Sequence, residues 1–224
     1  MEGEHEGMES REAAGQALAA QLRPYAAPDV VVLGVSRGGI LVGLEVARAL
    51  DAPFEALAIR IIDDPQQPEH TVGVVVEPDY VDMNKPAGAS GQSAAPAQPD
   101  AAVAEALEDV RRRGELYRGG RARRDLAACR VIVVSDAAST GTTLRGVVAA
   151  TRARGAREVI VALPVAPPGV FAELHDQADA VIGLDVPASL IARKVRYPMP
   201  LEVDDEEIAR LVRQFEQPAP PTSS

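Results

Sequence analysis

Five short runs of aliphatic, largely β-branched residues recur along the chain, and segments of helical spacing alternate with them. This alternation limits the fold more than any other feature. The runs are Val30–Val35, Phe54–Ile62, Arg130–Val134, Val159–Pro164 and Ala180–Leu184. They lack the in–out alternation of a strand with one wet face, and so read as strands buried on both sides. Helical spacing predicts helices over Ser10–Leu22, Ile40–Leu50, Ala101–Leu116, Leu144–Arg154, Val170–Gln177 and Asp204–Phe215. Strands and helices in this order imply an α/β fold, with an open, mainly parallel sheet and helices on both faces.

Between the second and third runs the rhythm breaks. Asp63-Asp64-Pro65 is a turn, and Thr71–Val76 with Tyr80–Met83 reads as a short hairpin. Residues 84–100, built of Ala, Pro, Ser, Gly and Gln, have too little apolar surface to offset the entropy of ordering and read as a flexible insertion. Residues 1–9 and 216–224 read as disordered ends. One domain over 10–215 remains.

Composition narrows the partners. The 33 acidic and 23 basic side chains give a formal net charge of -10. Nucleic-acid binders need cations to displace phosphate counterions, so this balance, with aromatics at 3%, excludes a general nucleic-acid partner. The N-terminus has neither the basic start nor the apolar run of a signal peptide, and no apolar stretch is long enough to span a bilayer. The expectation is a cytoplasmic protein with no membrane partner, acting on a small molecule. The one cysteine, Cys129, excludes an internal disulfide and a thiol-rich zinc site, and reads as a small buried hydrophobe.

In an open parallel sheet, ligands sit at the carboxyl ends of the strands, near the point where the strand order reverses. Two turns at that edge carry unusual residues. In Val134-Ser135-Asp136-Ala137-Ala138-Ser139-Thr140-Gly141-Thr142-Thr143 a strand ends, a carboxylate follows, and hydroxyl residues with glycine open a helix. Backbone N–H groups at a helix start, with Thr hydroxyls, form an anion cradle, and Gly141 admits a phosphate closely. The same residues also suit a plain tight turn with Thr140 or Thr142 as helix cap. No Lys follows the glycine, so the phosphate-loop nucleotidase pattern is not met. In Gly34-Val35-Ser36-Arg37-Gly38-Gly39, Arg37 stands where an anion would approach. This turn also matches G-x-S-x-G, with Ser36 as a hydrolase nucleophile and Asp136 and His175 following in triad order. Against that reading, only one strand precedes it, and no earlier loop supplies a second oxyanion donor.

Together, in this order, the two turns resemble those of the type I phosphoribosyltransferases, and most closely a bacterial group of phosphoribosyltransferase-domain proteins. The resemblance covers about Arg11 to Phe215 and includes Tyr117-Arg118-Gly119-Gly120-Arg121 and Leu163-Pro164-Val165-Ala166-Pro167-Pro168. It implies a five-stranded parallel core with a small hood and a flexible lid, here about Ile62 to Asp100. It implies that Ser139, Thr140, Gly141, Thr142 and Thr143 hold the 5-phosphate of 5-phosphoribosyl-1-diphosphate or a nucleotide. Ser135 and Asp136 would meet the ribose hydroxyls. Arg37, Gly38 and Gly39 would meet the diphosphate, with magnesium bridged by the ligand. Asp136 and Arg37 are the implied catalytic residues, and the implied reaction exchanges diphosphate for a nitrogenous acceptor.

The chain departs from the family pattern in places. Ser135 replaces the first member of the family's acidic pair. Arg60 is followed by Ile61 where that bacterial group commonly has Lys, Ser139 stands where purine-type members carry Asp, and Tyr197 is the main aromatic near the C-terminus. A binding or regulatory module of the same fold is therefore the alternative. Asp63, Asp64, Glu69 and His70 offer metal-type ligands, but an acidic turn with one His usually forms solvated surface. The arginines at 111–113, 121, 123 and 124 read as a solvated face or a homodimer contact.

Overall fold

The computed structural model describes residues 10–64, 67–83, 99–138, 140–185 and 203–217. Its elements run α1 (Arg11–Leu22), β1 (Val30–Val35), α2 (Ser36–Leu50), β2 (Phe54–Leu57), β3 (Ile59–Asp64), β4 (Gln67–Val76), β5 (Tyr80–Met83), α3 (Pro99–Arg118), β6 (Arg130–Val134), α4 (Thr142–Ala153), β7 (Glu158–Val165), α5 (Pro168–His175), β8 (Ala180–Asp185) and α6 (Asp205–Glu216). Five strands form one sheet in the order β2-β1-β6-β7-β8, with every neighbouring pair parallel.

The unbroken apolar runs are explained by what covers them. On one face Val32, Ile132 and Ile160 pack among α1, α2 and α6 through Leu18, Ile40, Val46 and Ile208. On the other, Leu33, Val133 and Val161 pack against Leu144, Val147, Val170 and Leu174 of α4 and α5. With helices on both faces, the central strands β1, β6 and β7 are apolar beyond the first residues of β6 and β7, Arg130 and Glu158.

The run Phe54–Ile62 is not one strand. It breaks at Ala58, whose N–H donates to the Glu77 carboxylate at 3.2 Å and whose carbonyl accepts from the Glu77 N–H at 3.1 Å. Beyond Ala58 the chain leaves the parallel sheet and enters a second sheet, β3-β4-β5, antiparallel throughout. There Arg60 and Ile61, which point to opposite faces of the strand, are both exposed. Of the expected lid over Ile62–Asp100, residues 62–64 and 67–83 form strands of this sheet and the turn between β4 and β5, which lie on α4. A Cβ at Gly146 would overlap Val74, and Arg145 pairs with Asp82 at 3.5 Å. Residues 84–98 of the expected insertion lie outside the described residues, while Pro99 and Asp100 already belong to α3. At the other end α6 runs through Glu216, one residue into the tail expected to be disordered. Cys129 is half-buried rather than buried, because it stands in the turn before β6 and not in the strand.

Candidate functional site

From β1 the chain crosses to β2 on one side, and the next strand of the large sheet, β6, lies on the other side of β1. The strand order thus reverses between β1 and β6, which opens a crevice at their carboxyl ends. Helices α2 and α4 leave those two strands on opposite faces, so both begin at the crevice. Neither has a side-chain cap at its N-terminus.

The first turn is tight. Ser36 adopts φ +62°, a left-handed conformation unusual for a residue with a Cβ, as β1 passes directly into α2. Gly38 and Gly39 then lie against the second turn. A Cβ on Gly38 would overlap the Asp136 carboxylate, and one on Gly39 would stand 2.7 Å from the Val134 carbonyl oxygen and 2.9 Å from the Ser135 Cα. The paired glycines are what allow the two turns to touch.

Ser135 and Asp136 are both buried. The Ser135 hydroxyl donates to the Ala137 carbonyl at 3.0 Å and so shapes its own loop. The Ser135 and Ala138 N–H groups donate to Ala162 and Val165, extending the pairing with β7. Asp136 accepts from Arg11 Nε at 3.1 Å, from the first turn of α1. Sequence reasoning does not single out that arginine. The signal is present, since a cation in the first turn of a helix opposes the helix dipole and calls for a compensating acid.

Thr140 is exposed, Gly141 takes the cap position of α4, and Thr142 and Thr143 start the helix, half-buried. The first closed helical bond runs from Arg145 N–H to the Gly141 carbonyl at 2.8 Å. The N–H groups before it have no partner within the helix, as at every helix start. Gly141 also packs against α5, where a Cβ would overlap the Glu173 carboxylate. Ser139 lies outside the described residues.

Arg37 is 43% exposed, and its Nε donates to Asp205 at 3.0 Å. Asp205 opens α6 and anchors a wider network. It accepts from the Tyr117 hydroxyl at 2.6 Å and pairs with Arg113 at 3.3 Å, while Arg113 also donates to Tyr117 at 3.0 Å. Burial opposes ionisation of Asp205, but hydrogen bonds from Arg37 and Tyr117 and the charge of Arg113 outweigh it and hold the carboxyl below its ordinary range. Burial, followed by the bond to Asp205, pushes the Tyr117 hydroxyl up to about 12. Sequence reasoning misses Asp205, one of three acids that the structure places in the first turn of α6.

The structure assembles no hydrolase triad. His175 ends α5, a helix that starts beyond the carboxyl end of β7 and carries its last residue toward the opposite edge of the sheet. Of the arginines expected to form a solvated face or a homodimer contact, Arg111, Arg112, Arg121 and Arg124 are exposed, while Arg113 and Arg123 are half-buried, and several of them are engaged in ion pairs. Arg113 bonds the Ile59 carbonyl, Arg118 and Arg123 pair with buried Glu77 at 2.7 and 3.0 Å, and Arg121 and Arg124 pair with Glu216. Among the described residues, no three His, Cys, Asp or Glu gather to hold a metal, and the side chains of Glu69 and His70 are not among those described. Among the same residues no helix is long and apolar enough to cross a membrane.

Comparison with known proteins agrees with this layout. Residues 5–199 match the family model described as phosphoribosyl transferase domain. Two Mycobacterium tuberculosis proteins, from strains CDC 1551 and H37Rv, each named "Putative phosphoribosyl transferase", are 34% identical over 195 residues. The match takes in 87% of this chain but 44% of each of theirs, so the chain spans less than half the length of these curated relatives. The crystal structure of the Thermus thermophilus protein TT1426 superposes with a TM-score of 0.76 at 29% identity, covering 93% of this chain and 99% of that one. The crevice between β1 and β6, the two helix-opening turns that meet there and the match along nearly the whole chain lead to one conclusion: this chain belongs to the phosphoribosyl transferase domain family.

Proposed function

We propose that the crevice binds 5-phosphoribosyl-1-diphosphate or a nucleotide, and that the chain transfers the phosphoribosyl group to a nitrogenous acceptor. The observation that carries this reading is the contact of the two turns, with Gly38 and Gly39 packed on Val134–Asp136. That contact puts two uncapped helix N-termini at one crevice, which suits a ligand with phosphate at both ends. Thr140–Thr143 would take the 5-phosphate, Ser135 and Asp136 the ribose hydroxyls, and Arg37 the diphosphate. In the reaction the anomeric C–O bond to diphosphate breaks, with the electron pair leaving on oxygen. The C–N bond forms, and the acceptor nitrogen gives up its proton. The chain's part is to position the groups and stabilise the leaving charge.

Magnesium prefers oxygen ligands and keeps several of them as water or phosphate. Ser135 and Asp136 are oxygen donors at this strand end, a sparse set that suits a metal held chiefly by the ligand's own phosphates. When bound there it would offset part of the leaving group's charge.

A second reading, of a binding module with little catalysis, is favoured by the engagement of Ser135 with Ala137 and of Arg37 with Asp205. One experiment separates the two. Calorimetric titration with 5-phosphoribosyl-1-diphosphate, with and without magnesium, is run on wild type, Thr142→Ala and Ser135→Asp. Diphosphate release is then followed over a panel of nitrogenous acceptors. Binding that Thr142→Ala weakens and Ser135→Asp strengthens, with release, supports transfer. The same binding without release supports the module. No heat in wild type or Ser135→Asp removes both.

A further inference from the structure

A cavity of about 300 Å³ lies at the β2 edge of the sheet, lined by Arg118, Arg121, Arg123, Arg124, Glu55 and Glu216. None of these belongs to the two turns at the crevice. The charge around it runs against the acidic balance of the molecule. Arg154 pairs with Glu55 at 2.8 Å, Arg118 and Arg123 share Glu77, Arg121 and Arg124 share Glu216, and the charge of Arg213 reaches Arg121. Six guanidinium groups thus meet three carboxylates. Burial and the charges of Arg124 and Arg213 hold Arg121 below its ordinary pKa, the mark of crowded cations. The buried atoms with no hydrogen-bond partner among the described residues include Arg123 Nε and also the acceptors Glu55 Oε1 and Glu216 Oε2, so the internal pairing around the cavity leaves donors and acceptors unmet. It is the surplus of guanidinium charge over carboxylate that an anion would offset.

We propose that this cavity is a second anion site, which takes a compact diphosphate-type group. The planar fork of a guanidinium matches phosphate oxygens in pairs, and several forks around one cavity favour a multiply charged phosphate over a single carboxylate. Glu216 is the internal competitor, and an incoming anion would take Arg121 and Arg124 from it. Tyr117 lines this cavity and also bonds Asp205, but the cations that would hold the anion are not those of the crevice. The site stands whether or not the chain is a transferase.

The test is calorimetric titration of inorganic diphosphate, in the presence of a metal chelator, into the full chain carrying Thr142→Ala and Arg37→Gln to disable the crevice. One binding event is expected. Adding Arg121→Gln with Arg124→Gln weakens it by at least about ten-fold, the size of one charge-assisted hydrogen bond. Adding Glu216→Gln instead tightens it. Adenosine and guanosine 5′-diphosphate, titrated in parallel, assign the source. Tighter binding than inorganic diphosphate supports the site with a nucleotide as ligand, and weaker or equal binding supports it with the free anion. No event at millimolar diphosphate overturns the proposal, as does unchanged affinity in an arginine variant that melts like its parent. If that variant does not fold, weakened or unchanged affinity in Glu216→Gln overturns it. The crevice is read separately, by titrating the Arg121→Gln, Arg124→Gln protein with its crevice intact.

Discussion

Tyr117 is fully buried and shares one carboxylate with two arginines, so its protonation state bears on both the core and the crevice. Its folded pKa of about 12 lies above the ordinary tyrosine value near 10. The fold therefore favours the protonated hydroxyl, and that stability is fully present below about pH 10. As pH rises from about 10 to 12, the unfolded chain ionises first and stability falls, by up to about 1.4 kcal/mol per pH unit. Tyr117→Phe removes this slope. It also costs about 1–3 kcal/mol at neutral pH, because Asp205 and Arg113 each lose a partner. Urea unfolding of both proteins between pH 7 and 11.5 measures the two effects. Equal slopes for wild type and Tyr117→Phe would refute the assignment. Asp205 has the opposite sign. Its depressed pKa gives stability that is present above the unfolded value near 3.9 and lost as pH falls through the folded one.

Among the elements, the three-stranded sheet β3-β4-β5 depends on one buried carboxylate. Glu77 is 1% exposed, holds the Ala58 N–H where β2 gives way to β3, and pairs with Arg118 and Arg123. A Cβ on Gly114 would overlap it, so α3 closes over it without room to spare. Glu77→Gln keeps the shape but leaves two cations facing a neutral amide. Breaking a buried pair on one side costs about 3–5 kcal/mol. The urea midpoint should fall accordingly, and a change below about 1 kcal/mol would show that water already compensates these groups. The same residue marks the limit of sequence reading. The strands of the large sheet were legible because each is an uninterrupted run buried by its own local pattern. The break at Ala58 was not, because it is fixed by a partner 19 residues away. The candidate site divides in the same way. Its two turns are contiguous motifs and could be found, whereas Arg11 and Asp205, which hold Asp136 and Arg37, come from distant helices, and nothing local to either names the residue it pairs with.

At the scale of the whole molecule, a net charge of -10 and anion-directed arginines respond to salt in opposite directions. Like charges spread over a folded surface repel, and that repulsion is relieved as the Debye length shrinks from about 30 Å at 0.01 M to about 8 Å at 0.15 M. The innermost ion pairs resist screening, since Glu77 and Glu55 lie in the core of their networks. The melting temperature should therefore rise with sodium chloride over that range. Anion affinity should fall over the same range, by about three- to ten-fold, because Arg37 and Arg121 are 43% and 41% exposed and salt reaches them. Melting curves and diphosphate titrations on one salt series test both signs together. If stability and affinity moved the same way, the cations would not be set apart from the acidic surface, and charge segregation would have to be given up as the reason an acidic chain can attract an acidic ligand.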